Sequence, residues 1–208
     1  MKISLTNAGK RYNRDWIFRN VSHHFSTGNS YAITGSNGSG KSTLLQAIAG
    51  ALVLTEGEVG YETAGNQPQK IEGDNAYLHL SIAAPYLELI EEMTSTELLE
   101  FHQQFKPFLP GFTTAQILGI VGLEKAAHKQ IRYYSSGMKQ RVKLAQAIFS
   151  NVSLILLDEP CTNLDKEGIA LYQQMITDHC SNRTVIVSSN DIAEYGFCKE
   201  VIRMNDYK

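Results

Sequence analysis

Residues 35–42 read GSNGSGKS, a glycine-rich loop that ends in Lys-Ser. The apolar run YAIT at 31–34 precedes the loop and the helix-forming stretch 43–49 follows it, which is the strand–loop–helix context that a phosphate-binding loop needs. Glycines let backbone N–H groups turn inward around a polyphosphate, and the start of a helix attracts anions. The predicted phosphate-binding residues are Gly35, Ser36, Asn37, Gly38, Ser39, Gly40, Lys41, Ser42 and Thr43.

A pair of carboxylates follows a second apolar run, LILL at 154–157. A short continuous apolar run is typical of a central parallel strand that is buried on both faces. Asp158, at the end of this strand, is predicted to hold Mg²⁺ together with the Ser42 hydroxyl, while Lys41 reaches the terminal phosphates. Glu159 is the predicted general base for an attacking water. Downstream of a phosphate loop, this pair indicates hydrolysis of a nucleotide.

The order of β-like and helical patterns predicts an α/β fold. Short β-like runs lie at 2–5, 18–25, 31–34, 154–157, 185–188 and 201–204, and they alternate with helical patterns, which favours a mostly parallel central sheet with helices around it. Residues 85–150 have helical spacing and are interpreted as an inserted helical lobe. We therefore expect a single domain over 1–208, with 1–84 and 151–208 as its nucleotide-binding core and an antiparallel β part near the N-terminus.

Composition limits the partners and the compartment. A formal charge of −2 and a pI near 6.3 offer no electrostatic reason to expect nucleic acid as a partner. The longest nearly apolar stretch, 77–90, is too short to span a bilayer and is interrupted by polar residues. The polar N-terminus has no apolar signal segment, and the three cysteines lack metal-ligand spacing, so we expect a cytoplasmic chain with free thiols.

The helical lobe changes its charge along its length. Acidic residues concentrate near 88–100 and basic residues near 125–143. Solvated helix faces and an electrostatic docking surface both account for such charge runs, and solvated faces are the commoner case.

The segment YSSGM at 134–138, followed by KQR, lies upstream of the second apolar run. Serine and glycine at a helix start leave N–H groups free for an anion, although an ordinary serine cap has the same pattern. Because it lies between the phosphate loop and LILLDEP, the segment resembles the signature motif of the ATP-binding cassette (ABC) ATPases. The resemblance covers nearly the whole chain and includes EGEV at 56–59 and NLD at 163–165.

This resemblance implies a P-loop fold of the ABC type, with ATP and Mg²⁺ as cofactors. Two cassettes would sandwich two ATP molecules, and Ser135 and Gly137 of one chain would close over the γ-phosphate bound by Lys41 of the other. Tyr12 resembles the family's adenine-stacking aromatic, with Trp16 as a second candidate. The implied partners are a second ABC ATPase chain, as a homodimer or a heterodimer, and a transmembrane permease. The chain would then lie on the inner face of the cell membrane.

The chain departs from the family pattern at two positions. Asn190, in TVIVSSND, stands where the family has a switch histidine, and asparagine carries neither a proton to transfer nor a positive charge. No glutamine stands near Ala84-Pro85, where the family has one that reaches Mg²⁺. We therefore expect ATP binding and dimer closure to survive while hydrolysis is slow or needs a partner. By its place in the lobe, the segment 82–92 is the candidate transporter-facing groove.

Three functions remain open on sequence grounds. The first is the ATP-binding subunit of an ABC transporter, and the compact layout resembles the small cassettes of cytochrome c-type haem export systems. The second is an ABC protein that acts without a membrane partner. The third is a module that binds ATP as a dimer switch without hydrolysing it, which Asn190 favours and Glu159 disfavours.

Overall fold

Two β-sheets contain the strands of the computed structural model, which describes residues 1–65 and 67–208. The strands are β1 (Lys2–Tyr12), β2 (Asp15–Phe25), β3 (Ser30–Thr34), β4 (Glu56–Glu62), β5 (Lys70–Ile71), β6 (Leu80–Ala83), β7 (Leu154–Asp158), β8 (Thr184–Ser188) and β9 (Glu200–Arg203). The α-helices are α1 (Lys41–Ile48), α2 (Ser95–Gln103), α3 (Thr114–Ile120), α4 (Ser136–Phe149), α5 (Lys166–His179) and α6 (Ile192–Tyr195).

The central sheet is parallel and has the order β6-β7-β8-β3-β9. Every residue of β7 and β8 is buried, as expected for strands covered on both faces by helices. The expected α/β fold with a mostly parallel sheet is confirmed. In such a sheet ligands bind at the carboxyl ends of the strands, and β3 and β7 end there in the glycine-rich loop and in Asp158.

The second sheet is antiparallel, with the order β2-β1-β4-β5, and it includes the N-terminal strands as expected. The first strand is longer than the predicted run 2–5 because it continues through three register shifts to a tight turn, where Tyr12 pairs with Asp15. Asn7, Asn13 and Asn20 have left-handed backbones, a conformation that asparagine tolerates better than most residues.

Residues 85–150 contain α2, α3 and α4, as the helical spacing predicts. Thr94 and Thr113 each cap their helix through a reciprocal box with the third helical residue, Glu97 and Gln116. Helix α4 packs on α2 and α3 and also on β6 and β7. One hydrophobic core therefore runs from the lobe into the sheet, including Leu99, Ile117, Ile148, Leu157 and Val187. The boundary of the lobe at residue 150 stays a prediction.

Part of the charge in the lobe is paired internally. The Lys139 ammonium contacts the Glu91 carboxylate, and Arg132 lies 3.8 Å from Glu92. These pairs join the acidic loop to the first turn of α4 and to the 3₁₀ turn Ile131–Tyr133 before it, so they account for some of the charge runs without a partner. Across the described ranges 1–65 and 67–208, no helix has both the length and the apolar character that crossing a bilayer requires.

Candidate functional site

The glycine-rich loop at 35–40 is wound tightly between β3 and α1. Gly35, Gly38 and Gly40 all have positive φ, and the Ser39 N–H donates to the Ser36 carbonyl at 2.9 Å. At Gly40, with φ of 99°, an added Cβ would lie only 2.6 Å from the Ile17 methyl group. A side chain there would meet both backbone strain and a steric clash. The sequence folds into this loop because its glycines fall where the turn requires them.

Lys41 begins α1 and folds back over the loop. Its side chain is buried, and its ammonium donates to the Gly35 carbonyl at 2.8 Å. The loop thus holds a single desolvated cation at its centre, next to the backbone amides that open the helix. Ser42 and Thr43 follow on the first turn of α1, half-buried. This arrangement suits a polyphosphate, because both the lysine and the helix start attract negative charge.

Three buried side-chain oxygens near the loop lack a hydrogen-bond partner within the part of the chain that the structure describes. They are Asp158 Oδ1, Ser39 Oγ and Ser188 Oγ. Asp158 is 2% exposed at the end of β7, and its backbone pairs with Ser188 on β8. Buried polar atoms are nearly always satisfied, so these three oxygens are available to an ordered water, an ion or a ligand. Oxygen donors of this kind fit a hard cation such as Mg²⁺.

Glu159 follows Asp158 but points out of the core. Its side chain is exposed, its φ is 43°, and its N–H donates to the Ser188 carbonyl at 2.9 Å. A left-handed backbone at a residue other than glycine stores strain, and such residues cluster at functional sites. The turn separates the two carboxylates, so that one is buried beside the loop and the other is free to contact solvent, as a general base needs.

Asn190 is joined directly to the glycine-rich loop. Its Oδ1 accepts a hydrogen bond from the Gly35 N–H at 3.0 Å. The Ser189 N–H donates to the Ile33 carbonyl of β3, so this segment is tied to β3 as well as to the loop. The structure therefore brings Asn190 to the phosphate loop. The amide oxygen accepts this hydrogen bond, so the amide NH₂ group is the part of the side chain that remains to donate to a ligand.

Ser135 caps α4 and accepts a hydrogen bond from the Met138 N–H at 3.2 Å. Ser135 is exposed, and an added Cβ on Gly137 would lie 3.0 Å from the Asn163 carbonyl. Both residues line an open recess of about 430 Å³, whose other walls include Arg141 and Asp165. The recess is open to the surface, so a second molecule can reach it, as a site that is completed by a second molecule requires.

Tyr12 lies at the end of β1 with 49% of its surface exposed. The Trp16 ring is already flanked by two guanidinium groups, with Arg19 at 4.5 Å and Arg11 at 5.3 Å from the ring centre. Cation–π contacts of this kind stabilise the hairpin. Tyr12 has one such contact, with the Lys10 ammonium 5.0 Å from its ring centre, and its stacking role stays a prediction.

Two buried polar residues that sequence reasoning missed support the loop after Glu159. The Gln140 amide donates to the Pro160 carbonyl at 2.7 Å, and the Cys161 N–H donates to Glu194 Oε1 at 2.7 Å. Burial raises the pKa of the Glu194 carboxyl above its usual value. Glutamine and glutamate in amphipathic helices usually face solvent, so no sequence signal identifies Gln140 and Glu194 as buried supports of this loop.

Comparison with known proteins assigns the family. The family model described as ABC transporter matches residues 18–162. The chain belongs to the ABC transporter family. It is 33% identical over 196 residues to the cytochrome c biogenesis ATP-binding export protein CcmA of Agrobacterium fabrum (strain C58), covering 91% of this chain and 88% of that protein.

Other relatives of the ABC family cover the chain as fully. The uncharacterized ABC transporter ATP-binding protein YybJ of Bacillus subtilis (strain 168) is 29% identical, covering 98% of this chain and 92% of that protein. Among solved structures, the dimeric cassette MJ0796 in a post-hydrolysis state bound to ADP and Pi is 25% identical with a TM-score of 0.80, covering 97% and 93% of the two chains. The present chain is thus an ABC ATPase, the ATP-binding subunit type of this family. The roles of its individual site residues stay predictions.

Proposed function

We propose that this chain binds Mg²⁺ and ATP at a dimer interface and couples slow hydrolysis to a transmembrane permease. The observation that carries the proposal is the burial of two charged residues at one edge of the sheet: Lys41, whose ammonium is bonded to the glycine-rich loop, and Asp158, whose carboxylate has an unpaired oxygen. A bound metal and triphosphate account for both.

Each group in the site has a distinct task. The loop amides and the Lys41 ammonium hold the phosphates, and Ser42 and Asp158 are the groups that would hold Mg²⁺. The metal, when bound, supplies charge that stabilises the phosphoryl group in transfer. Glu159 takes the proton of the attacking water. Ser135, which is exposed, and Gly137, which is half-buried, line the same recess and complete the site of a second chain.

Slow hydrolysis follows from Asn190. Its amide oxygen is committed to the Gly35 N–H, and its NH₂ group donates only a neutral hydrogen bond to a phosphate. Hydrogen bonds from charged donors are stronger by about 1 kcal/mol or more. A site with a neutral group at this position stabilises the developing charge less, so the chemical step is slower than with a protonatable residue there.

The surface next to β6 supports contact with a membrane partner. Tyr86, Leu87, Ile90, Phe101 and Phe105 are all between 37% and 69% exposed. These five residues are here called the docking surface, and one of them, Leu87, lines a groove of about 270 Å³ whose other walls include residues of β6, α2 and α4. Exposed apolar patches of this kind mark interaction sites. By analogy with CcmA, an ATP-binding export protein, the partner proposed here is a permease that places the chain at the inner face of the membrane.

The decisive experiment for ATP use is Glu159→Gln. Removing the general base while keeping the shape should abolish phosphate release and trap a stable ATP-dependent dimer, measured by size-exclusion chromatography with ATP and Mg²⁺. The matched control is Glu167→Gln, an exchange of the same type at an exposed position of α5. If Glu159→Gln releases phosphate as fast as the unchanged chain, Glu159 is not the base.

The membrane partner needs a separate test. Leu87→Glu with Phe105→Glu should release the tagged chain from the membrane fraction without changing ATP affinity. Val53→Glu, at an exposed apolar residue outside the docking surface, is the control. Unchanged membrane association of the double variant would contradict the assignment of the docking surface.

The non-hydrolysing dimer switch remains a second candidate because Asn190 is bonded to the loop. In that case Glu159→Gln would leave dimer lifetime unchanged, since no hydrolysis would limit it.

A further inference from the structure

The peptide group between Pro160 and Cys161, which directly follows Glu159, is hydrogen-bonded at both of its polar atoms. The Pro160 carbonyl accepts from the Gln140 amide at 2.7 Å, and the Cys161 N–H donates to Glu194 Oε1 at 2.7 Å. Pro160 and Cys161 are buried, so water does not compete for these two bonds. Side chains from two different helices, α4 and α6, thus hold one peptide group, here called the clamped peptide.

The two side chains that hold the clamped peptide are themselves fixed. Gln140 and Glu194 are only 4% and 5% exposed. The Glu194 carbonyl accepts from the Tyr172 hydroxyl at 2.8 Å, and the Glu194 N–H donates to the Asp191 carbonyl at 3.0 Å. Buried polar groups that find their partners make the structure around them rigid. The clamped peptide is therefore held against fixed points of the core.

The backbone of Glu159, one residue earlier, is strained. Its φ is 43°, and a left-handed conformation at a residue other than glycine persists only where the surrounding structure enforces it. The Glu159 N–H donates to the Ser188 carbonyl at 2.9 Å, which anchors the residue on one side. On the other side the ring of Pro160 locks one backbone dihedral, so the position of the clamped peptide is passed on to Glu159. The clamp thus helps to enforce the strained conformation.

The start of α4 touches the loop after Glu159 at further points. Arg141 lies 3.7 Å from the Asp165 carboxylate, and an added Cβ on Gly137 would lie 3.0 Å from the Asn163 carbonyl. Gln140 lies between Gly137 and Arg141 in the chain, so this loop rests on the first turns of α4. The contact of Gln140 with the loop is part of a continuous interface and is not an isolated bond.

We propose that Gln140 and Glu194 are positioning residues, which hold the clamped peptide so that Glu159 presents its carboxylate to the attacking water. Each acts through the backbone next to Glu159 and not by contact with the nucleotide. The inference rests on the proposed function in assuming that Glu159 is the general base. It adds that the alignment of this base depends on two buried side chains that are distant from it in the sequence.

The first test is Gln140→Met, which removes the amide donor and keeps a side chain of similar length. Phosphate release gives kcat, and isothermal titration calorimetry with a non-hydrolysable ATP analogue gives the affinity. The value of kcat should fall about threefold to tenfold, because losing one neutral hydrogen bond shifts the population of the aligned base by no more than the free energy of that bond. The affinity should not change, since the phosphate loop keeps all its contacts.

The matched control is Gln130→Met. It removes a bond of the same kind, from the Gln130 amide to the Glu92 carbonyl at 2.9 Å, at a place away from the clamped peptide. Neither kcat nor the affinity should change in this control.

A double-mutant cycle with Glu159→Gln separates positioning from a general effect on structure. A residue that acts only through Glu159 loses its influence on the rate once that carboxylate is gone, so Gln140→Met should not lower the residual rate of Glu159→Gln any further. The lifetime of the ATP-dependent dimer gives a second readout. It should lengthen in Gln140→Met, because slower hydrolysis reopens the dimer later, whereas a damaged fold would shorten it.

Glu194 provides an independent test from the other side of the clamped peptide. Glu194→Gln keeps an oxygen that can accept the Cys161 N–H, and Glu194→Leu does not. The value of kcat should therefore be at least about threefold lower in Glu194→Leu than in Glu194→Gln, with equal affinity for the ATP analogue. Equal affinity also reports that both variants are folded.

The outcomes separate this inference from the proposed function. An unchanged kcat in either Gln140→Met or Glu194→Leu would overturn the inference and leave Glu159 as the base. A loss of rate that persists in the Glu159→Gln background would also overturn it, since the side chain would then act on the fold or on ATP binding. If the unchanged chain releases phosphate no faster than Glu159→Gln, the role of Glu159 fails and the inference fails with it.

Discussion

Replacing Asn190 by histidine should accelerate ATP hydrolysis. The Asn190 Oδ1 accepts the Gly35 N–H at 3.0 Å, and a histidine ring nitrogen can accept the same bond while its other nitrogen donates to a phosphate. The neutral imidazole therefore keeps the tie to the loop and adds a donor, whereas the protonated ring carries positive charge, donates from both nitrogens and no longer accepts the Gly35 N–H. Asn190 is exposed, so the larger ring does not disturb the core.

The size of the gain follows from the two kinds of hydrogen bond. A neutral hydrogen bond contributes about 0.5–1.5 kcal/mol and one with a charged partner about 1.5–3 kcal/mol. The difference of about 1 kcal/mol in transition-state stabilisation corresponds to roughly a fivefold increase in kcat. Because the position is exposed, the free energy of unfolding should change by less than about 0.5 kcal/mol.

The assay is phosphate release at saturating ATP and Mg²⁺, with Asn190→Ala as the second variant. Alanine removes both the bond to Gly35 and the free amide, so its kcat should fall below that of the unchanged chain. The double variant Asn190→His with Glu159→Gln gives the background rate. The pH dependence of Asn190→His should show a rise in rate toward lower pH that the unchanged chain lacks, because only the imidazole gains a proton near pH 6.5.

Two results would refute this reasoning. If histidine leaves kcat unchanged while alanine lowers it, the asparagine amide already provides what the site uses and is not the limiting group. If all three chains hydrolyse ATP equally fast, the contact between Asn190 and Gly35 has no part in the reaction.

Three further predictions concern stability. Gly40→Ala should lower the free energy of unfolding by about 1–3 kcal/mol. Gly38→Ala should lower it by only about 1 kcal/mol, because the φ of Gly38 is also positive but an added Cβ meets nothing within 4 Å. Equal melting temperatures of the two variants would contradict the steric argument. Glu194→Gln keeps the oxygen that accepts the Cys161 N–H and should be as stable as the unchanged chain at pH 7.5. Glu194→Leu leaves that N–H without an acceptor and should lower the free energy of unfolding, measured in urea, by about 1–3 kcal/mol. Burial and the charge of Lys106 lower the pKa of His102 to about 4. Below about pH 6.5 the unfolded chain therefore binds a proton that the folded chain does not bind. The free energy of unfolding should fall by about 1–2 kcal/mol between pH 6.5 and 4. His102→Gln should reduce this loss, and an unchanged pH profile in that variant would rule His102 out as its source.

Most of the sheet could be predicted from local pattern. The runs at 31–34, 154–157 and 185–188 are continuous and apolar, and each forms a buried parallel strand. Strand β6 was missed because the apolar stretch 77–90 combines a 3₁₀ helix, a strand and an exposed turn. No single period describes these three conformations, so the pattern alone could not divide them.

The positions of the site residues follow from sequence only where the residues are adjacent along the chain. Lys41 and Ser42 are at the start of a helix because they end a glycine-rich loop, and Asp158 ends a strand because it follows an apolar run. Gln140 was not identified as a site residue, since nothing in its neighbours indicates that its amide donates to the Pro160 carbonyl. The packing of α4 against β7 brings the two together.

By itself, then, the sequence determined the fold class, the phosphate loop, the carboxylate pair and the absence of a histidine at position 190, because each depends on local spacing or residue type. The tertiary structure alone decided which distant groups meet: Asn190 with Gly35, Cys161 with Glu194, and Gln140 with Pro160. These contacts join elements that are far apart in the chain, and their partners are chosen by sheet order and helix packing. The burial of the whole hydrophobic core determines these long-range contacts, and no local sequence pattern contains that information.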